Sequence, residues 1–95
     1  MKVVSVNTST KKGTGKRPVP EIEINERGAV GDAHAGAGSR QISMLSAEVI
    51  GEFESEIGRK IAPGEFAENL TVQGIDLRKV SVLDRFTIGS AELEV

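Results

Sequence analysis

The chain opens on alternation: Val4 and Val6 interleave with Ser5 and Asn7, the period-2 pattern of a strand with one buried face. A polar, glycine-containing stretch from Thr8 to Arg17 follows as a loop, and alternation resumes from Val19 to Ile24. Pro18 and Pro20 sit at the start of that second strand, where a missing N–H is tolerated only at a sheet edge, and Glu26-Arg27-Gly28 ends it in a turn. Gln41 to Leu45 reads as a further short strand. The period then changes. Val49, Ile50, Phe53 and Ile57 fall on one helical face and Glu48, Glu52 and Glu56 on another, with Ser46 as N-cap and Gly58, Arg59 and Lys60 as the stop. One helix is therefore predicted over 47–57. Gly51 inside it costs about 1 kcal/mol against alanine, so packing must supply the helix's stability.

Leu70 to Val72 gives another short strand, closed by Gly74. The clearest pattern comes last: Phe86 and Ile88 flank Thr87, Gly89-Ser90 is a two-residue turn of the type II′ kind, and Ala91, Leu93 and Val95 continue the alternation. Short strands, glycine-rich turns and one helix around residues 47–57 predict a mainly β domain, a barrel or sandwich. The final strand reaches Val95 with no polar tail, which leaves a sheet edge unprotected. Residues 1–95 are accordingly read as a single domain expected to be incomplete at its C-terminal end, with an edge able to pair with a second copy.

Composition narrows the function classes. With 38% hydrophobic and 27% charged residues the chain is expected to fold, and a net charge of −2 with neither Tyr nor Trp argues against a general nucleic-acid binder. Cysteine is absent, so disulfides, zinc-thiolate sites and thiol catalysis are excluded within these residues. The apolar run after Met1 is too short for a signal or a membrane span, so a cytoplasmic location is expected.

Two glycine-flanked polar segments carry the candidate chemistry. The first runs from Gly31-Asp32-Ala33-His34-Ala35-Gly36 into Arg40-Gln41-Ile42-Ser43-Met44-Leu45; the second is Pro63-Gly64-Glu65-Phe66-Ala67-Glu68-Asn69-Leu70. Both read as loops beside hydrophobic strands, where rigid scaffolds display sites. Arg40 offers a planar fork for phosphate or carboxylate, and Asp32 could orient His34, or the three could simply stabilise the loop. Glu65 and Glu68 could in principle form an acid/base pair, although the structural reading is preferred, and Asn69 suits a turn. A third segment, Lys11-Lys12-Gly13-Thr14-Gly15-Lys16-Arg17, lacks the glycine spacing of a nucleotide P-loop. It reads either as a solvated loop or as an anion contact. A lone histidine makes a poor metal site, and no catalytic nucleophile with its base stands out.

On these three segments, together with Ser46-Ala47-Glu48 and Arg85-Phe86-Thr87-Ile88-Gly89, the chain resembles a MOSC domain, the module named for the C-terminal part of molybdenum cofactor sulfurases and also found as small bacterial proteins. The resemblance implies a β-barrel-like fold and a molybdenum cofactor (molybdopterin) ligand. Lys12, Lys16 and Arg40 would then meet the phosphate, and Asp32, His34 and Asn69 the polar edges of the pterin, with no metal ligand from the chain. It implies sulfuration, sulfur transfer or trafficking of the cofactor, with a pyridoxal phosphate-dependent cysteine desulfurase or a molybdoenzyme as partner. A molybdenum-dependent reductase of N-hydroxylated compounds and a non-catalytic regulatory domain are the rival readings, and whether the chain is an enzyme stays open. Family members typically carry a cysteine beyond the final hairpin, and this sequence has none.

Overall fold

The computed structural model describes residues 1–11, 15–33, 35–36 and 41–95. Its elements are β1 (Lys2–Thr8), β2 (Arg17–Val19), β3 (Ile24–Asn25), β4 (Gly28–Ala29), β5 (Met44–Ser46), α1 (Ala47–Ile57), β6 (Leu70–Gln73), β7 (Arg85–Ile88) and β8 (Ala91–Glu94), with a 3-10 turn at Leu77–Lys79. The chain is thus mainly strand with one helix, and that helix has the bounds its periodicity predicts.

A four-stranded sheet of order β2-β1-β6-β5 forms the body. β1 pairs antiparallel with β2 and β6, while β5 runs parallel to β6. Parallel neighbours need a crossover, and α1 supplies it, packing on both strands it connects. β6 has a partner on each side and is buried over Leu70, Thr71 and Val72. Leu70 and Val72 are 1% and 0% exposed, so each contributes about 1.5–3 kcal/mol of burial. Ile50 of α1, Ile61 and Ala29 complete the buried apolar core among the described residues.

Local chemistry explains the helix ends. Ser46 Oγ accepts the Val49 N–H at 3.0 Å, and Gly58 adopts a left-handed φ of 74° while its N–H donates to the Glu54 carbonyl at 2.9 Å. Only Ile50 on the apolar face is fully buried; Phe53 and Ile57 stay 45% and 53% exposed.

Three strand expectations shift. Val4 does not face the core, because the β1–β6 register slips between Val3 and Ser5 and leaves Val4 as the extra residue of a bulge, 46% exposed. Val19 to Ile24 is not one strand: β2 ends before Pro20, at the edge of the sheet, and Ile24 starts a separate hairpin with β4. The strand expected from Gln41 begins instead at Met44, since the chain before it is held by side-chain bonds, Gln41 Nε2 to the Gly36 carbonyl and the Ser43 N–H to Asn69 Oδ1.

The last hairpin forms in the expected register, with Ile88 opposite Ala91 and Gly89 at φ 59° in the two-residue turn. It stays a separate sheet, as does β3–β4, so no closed barrel forms among the described residues.

Beyond α1, Arg59 binds Glu65 through two nitrogens at 3.2 and 2.7 Å. That hydrogen bond holds the Glu65 carboxyl below its ordinary range. A depressed carboxyl stabilises the fold above its ordinary range and loses that contribution as pH falls through the lowered value. Both groups face solvent, so the effect is local. Arg59→Gln should return the Glu65 midpoint upward in a carboxyl-resolved NMR titration, and an unmoved midpoint would show that the pair does not form in solution.

Candidate cofactor site

The polar segments converge where β1 ends. The Asn7 N–H donates to the Asn69 carbonyl at 2.7 Å, and the Ala33 N–H donates to the Ser9 carbonyl at 2.7 Å, which brings the segment after β4 onto the loop after β1. Across that junction Lys16 Nζ donates to Asp32 Oδ1 at 2.8 Å and Oδ2 at 3.0 Å, and the Ser9 N–H donates to the same carboxylate at 3.0 Å. Both ion-pair side chains are 0% exposed. Two charges withdrawn from water this completely hold together only if neither loses the other.

The Pro63–Leu70 segment closes on the same junction. The Lys16 N–H donates to the Gly64 carbonyl at 2.7 Å, and Gly64 has φ 84°; a Cβ there would overlap the Lys16 carbonyl oxygen. Glycine is required both by its backbone angle and by this approach.

A second network lies deeper. Asn69 Oδ1 accepts the Ser43 N–H at 3.1 Å while its Nδ2 donates to the Asn7 carbonyl at 3.1 Å. Asn7 Nδ2 donates to the Glu68 carbonyl at 3.1 Å and to Thr71 Oγ1 at 3.2 Å, and Thr71 Oγ1 donates to Glu68 Oε2 at 2.8 Å. Asn7 and Asn69 are 0% and 1% exposed. These amides satisfy the Asn7 carbonyl of β1, the Glu68 carbonyl before β6 and the Ser43 N–H before β5. Asn69→Leu fills the space but strands the Ser43 N–H and the Asn7 carbonyl, at about 1–3 kcal/mol each. The midpoint of urea unfolding should fall accordingly, and an unchanged midpoint would show that water reaches both groups.

Beside this junction lies a cleft of about 770 Å³ between the Gln41–Met44 segment and the β7–β8 hairpin. Gln41, Ile42 and Ser43 line one side, Phe86, Leu93 and Val95 the other, and Asn25 and Glu26 also border it. Phe86 and Leu93 face each other across the hairpin, so its apolar face lines the cleft. Arg85 bridges Glu92 at 3.1 Å and Glu94 at 3.5 Å, and these two glutamates also border the cleft.

Of the six residues singled out from sequence, the structure brings Lys16 and Asp32 together as a buried pair and places Asn69 in the neighbouring network. None of these three lines the cleft. Lys12, His34 and Arg40 lie outside the described residues. Sequence reasoning missed Asn7, Asn25, Phe86 and Leu93 as parts of this region. A lone asparagine in a valine-rich strand was the available signal for Asn7, and the inward alternation of the last hairpin was the signal for Phe86 and Leu93.

A family model for the MOSC domain matches residues 31–95. The chain belongs to the MOSC domain family. The match covers the second half of the junction, all of α1 and both strands of the last hairpin. No curated protein matches the chain. Among solved structures, the crystal structure of the YuaD protein from Bacillus subtilis shares its fold, with a TM-score of 0.76 and 24% identity over 88% of this chain. The chain spans 57% of the length of that protein.

The MOSC family ties the chain to the molybdenum cofactor in general terms. The cleft's donor set fits the organic part of such a group. Its volume lies in the ordinary range for small-ligand sites, and its lining mixes apolar surface with amides, a hydroxyl and the acidic residues Glu26, Glu92 and Glu94, so it suits the N–H edges of a pterin and not its phosphate. Among the described residues no group of three His, Cys, Asp or Glu side chains converges to hold a metal, and no helix is long and apolar enough to cross a membrane.

Proposed function

We propose that this MOSC domain binds the pterin of the molybdenum cofactor in the cleft beside Gln41–Met44 and serves sulfuration, sulfur transfer or trafficking of that cofactor. The observation that supports it most is the coincidence of motif and cleft: Gln41, Ile42, Ser43 and Met44 lie within the family match and form one wall. When bound, the cofactor supplies a dithiolene-held molybdenum centre.

The chain's own residues bind and orient. Gln41 and Asn25 offer amide donors and acceptors to polar ring edges, and Ile42, Phe86 and Leu93 offer apolar surface to a flat ring. Glu26 suits the N–H edge of a pterin and repels its phosphate. Lys12 and Arg40 are the groups to neutralise that phosphate, with His34 at a polar edge. Lys16, Asp32 and Asn69 act from below by fixing the loops that carry these residues.

The chain has no cysteine, so none of its residues can hold sulfur as a persulfide. Sulfur transfer would therefore take its thiolate from outside residues 1–95, for instance from a cysteine desulfurase.

Arg40→Ala tests the placement. Loss of a charge-assisted hydrogen bond worth about 1.5–3 kcal/mol weakens affinity roughly 10- to 100-fold. Anaerobic titration with molybdopterin should show that loss, and equal affinity in the two proteins would overturn the assignment.

A further inference from the structure

A second cavity, of about 310 Å³, shares the Ser43–Met44 wall with the cleft. Its surface is almost wholly apolar: Met44 and Leu45 form one side, and Phe53 of α1 and Phe66 of the turn before β6 form another. The two rings pack at 5.7 Å between centroids with a 59° tilt, yet they remain 45% and 47% exposed. Ile57, one helical turn beyond Phe53, is 53% exposed. Three large apolar side chains at one helix and turn, left this open, mark a contact surface more than a core.

Charge beside the patch says what covers it. Glu48, Glu52 and Glu56 stand at successive i, i+4 positions on the neighbouring face of α1, and the helix contains no Lys or Arg. Glu48 is used by the Gly74 N–H at 3.1 Å. Glu52 contributes to the field around Arg78, whose guanidinium is already bound to Asp76 at 2.9 Å. Glu56 is exposed. Glu68, 3% exposed and lining the cavity, keeps Oε1 without a hydrogen-bond partner. The cavity takes an apolar side chain, and the carboxylate row beside it favours cations and repels anionic membranes or nucleic acid.

We propose that this face of α1 docks a basic amphipathic segment of another protein, with an apolar side chain in the Phe53–Phe66 cavity and Lys or Arg side chains along Glu52 and Glu56. Helix-in-groove recognition combines these two elements in one contact. The docked segment and the contents of the cleft then share Ser43 and Met44 as a common wall. The site stands whether or not the cleft holds a pterin.

The probe is a 14-residue helical peptide of lysine and leucine, the leucines spaced at i, i+3, i+4 and i+7 and one tryptophan added. Because the chain has neither Trp nor Tyr, the peptide's fluorescence reports binding without background. Saturable binding is expected, at least tenfold tighter than for the same peptide with serine at each leucine. Phe53→Gln and Phe66→Gln should each cost at least tenfold. Glu52→Gln with Glu56→Gln should weaken binding and flatten its salt dependence, all with unchanged far-UV circular dichroism. Equal affinity for the leucine and serine peptides would reduce the effect to charge attraction and overturn the proposal, as would tight binding that survives both phenylalanine substitutions. A concentration-dependent dimer that Phe53→Gln dissolves would assign the face to a second copy instead.

Discussion

Lys16→Met is expected to lower the stability of the chain by about 3–5 kcal/mol, enough to unfold much of it at room temperature if its total lies near the lower end of the usual 5–15 kcal/mol. Methionine matches the length of the lysine stem and keeps its packing, so the loss isolates the charge. Asp32 would remain buried and bonded to the Ser9 N–H at 3.0 Å, but with the Lys16 ammonium removed from its carboxylate. Asp32→Leu added to Lys16→Met should recover most of the loss, because both members of the buried pair are then replaced by apolar side chains. Urea unfolding of the three proteins checks this. If Lys16→Met sits within about 0.5 kcal/mol of the parent, the pair is solvated and the junction is held by its backbone bonds alone.

Gly64→Ala carries the second large effect. A non-glycine residue at φ 84° costs about 1–2 kcal/mol by itself. The added Cβ also meets the Lys16 carbonyl oxygen and approaches Asn7 Cβ at 3.1 Å. Neither neighbour can step aside, since the Lys16 N–H is bonded to the Gly64 carbonyl at 2.7 Å and Asn7 is fixed in its network. The total should reach about 3 kcal/mol or more. Gly74→Ala is the matched control: its φ is 81°, but its Cβ would meet only Met1 Cα at 3.8 Å. The difference between the two substitutions measures the contact alone, and equal losses would show that the junction yields.

Much of the fold is legible in local pattern. The Ser46 cap, the apolar face of α1, the Gly58 stop and the Gly89-Ser90 turn each depend on residues a few positions apart, and the structure reproduces them. The parallel pairing of β5 with β6 is not written locally, because Met44 meets Leu70 only after a helix has crossed between them. The bulge at Val4 was hidden for the same reason: alternation in one strand says nothing of its partner's register.

The site divides along a similar line. Sequence motifs mark the segments that meet at the end of β1, and MOSC membership follows from them. They do not say whether a charged side chain serves a ligand or a neighbour. Lys16 and Asp32 are 16 positions apart, and only the folded junction makes them partners. Asn69 likewise reads as a turn residue until Asn7 and Ser43 are brought against it.

The most direct test of the cofactor reading is a ¹H–¹⁵N correlation spectrum of the chain titrated anaerobically with molybdopterin. Saturable shifts at Gln41, Ile42, Ser43 and Met44 and at Phe86 and Leu93, with Phe53 and Phe66 unmoved, are the expected result. Shifts confined to other surfaces, or none at ligand excess, would contradict the claim that this cleft holds the cofactor.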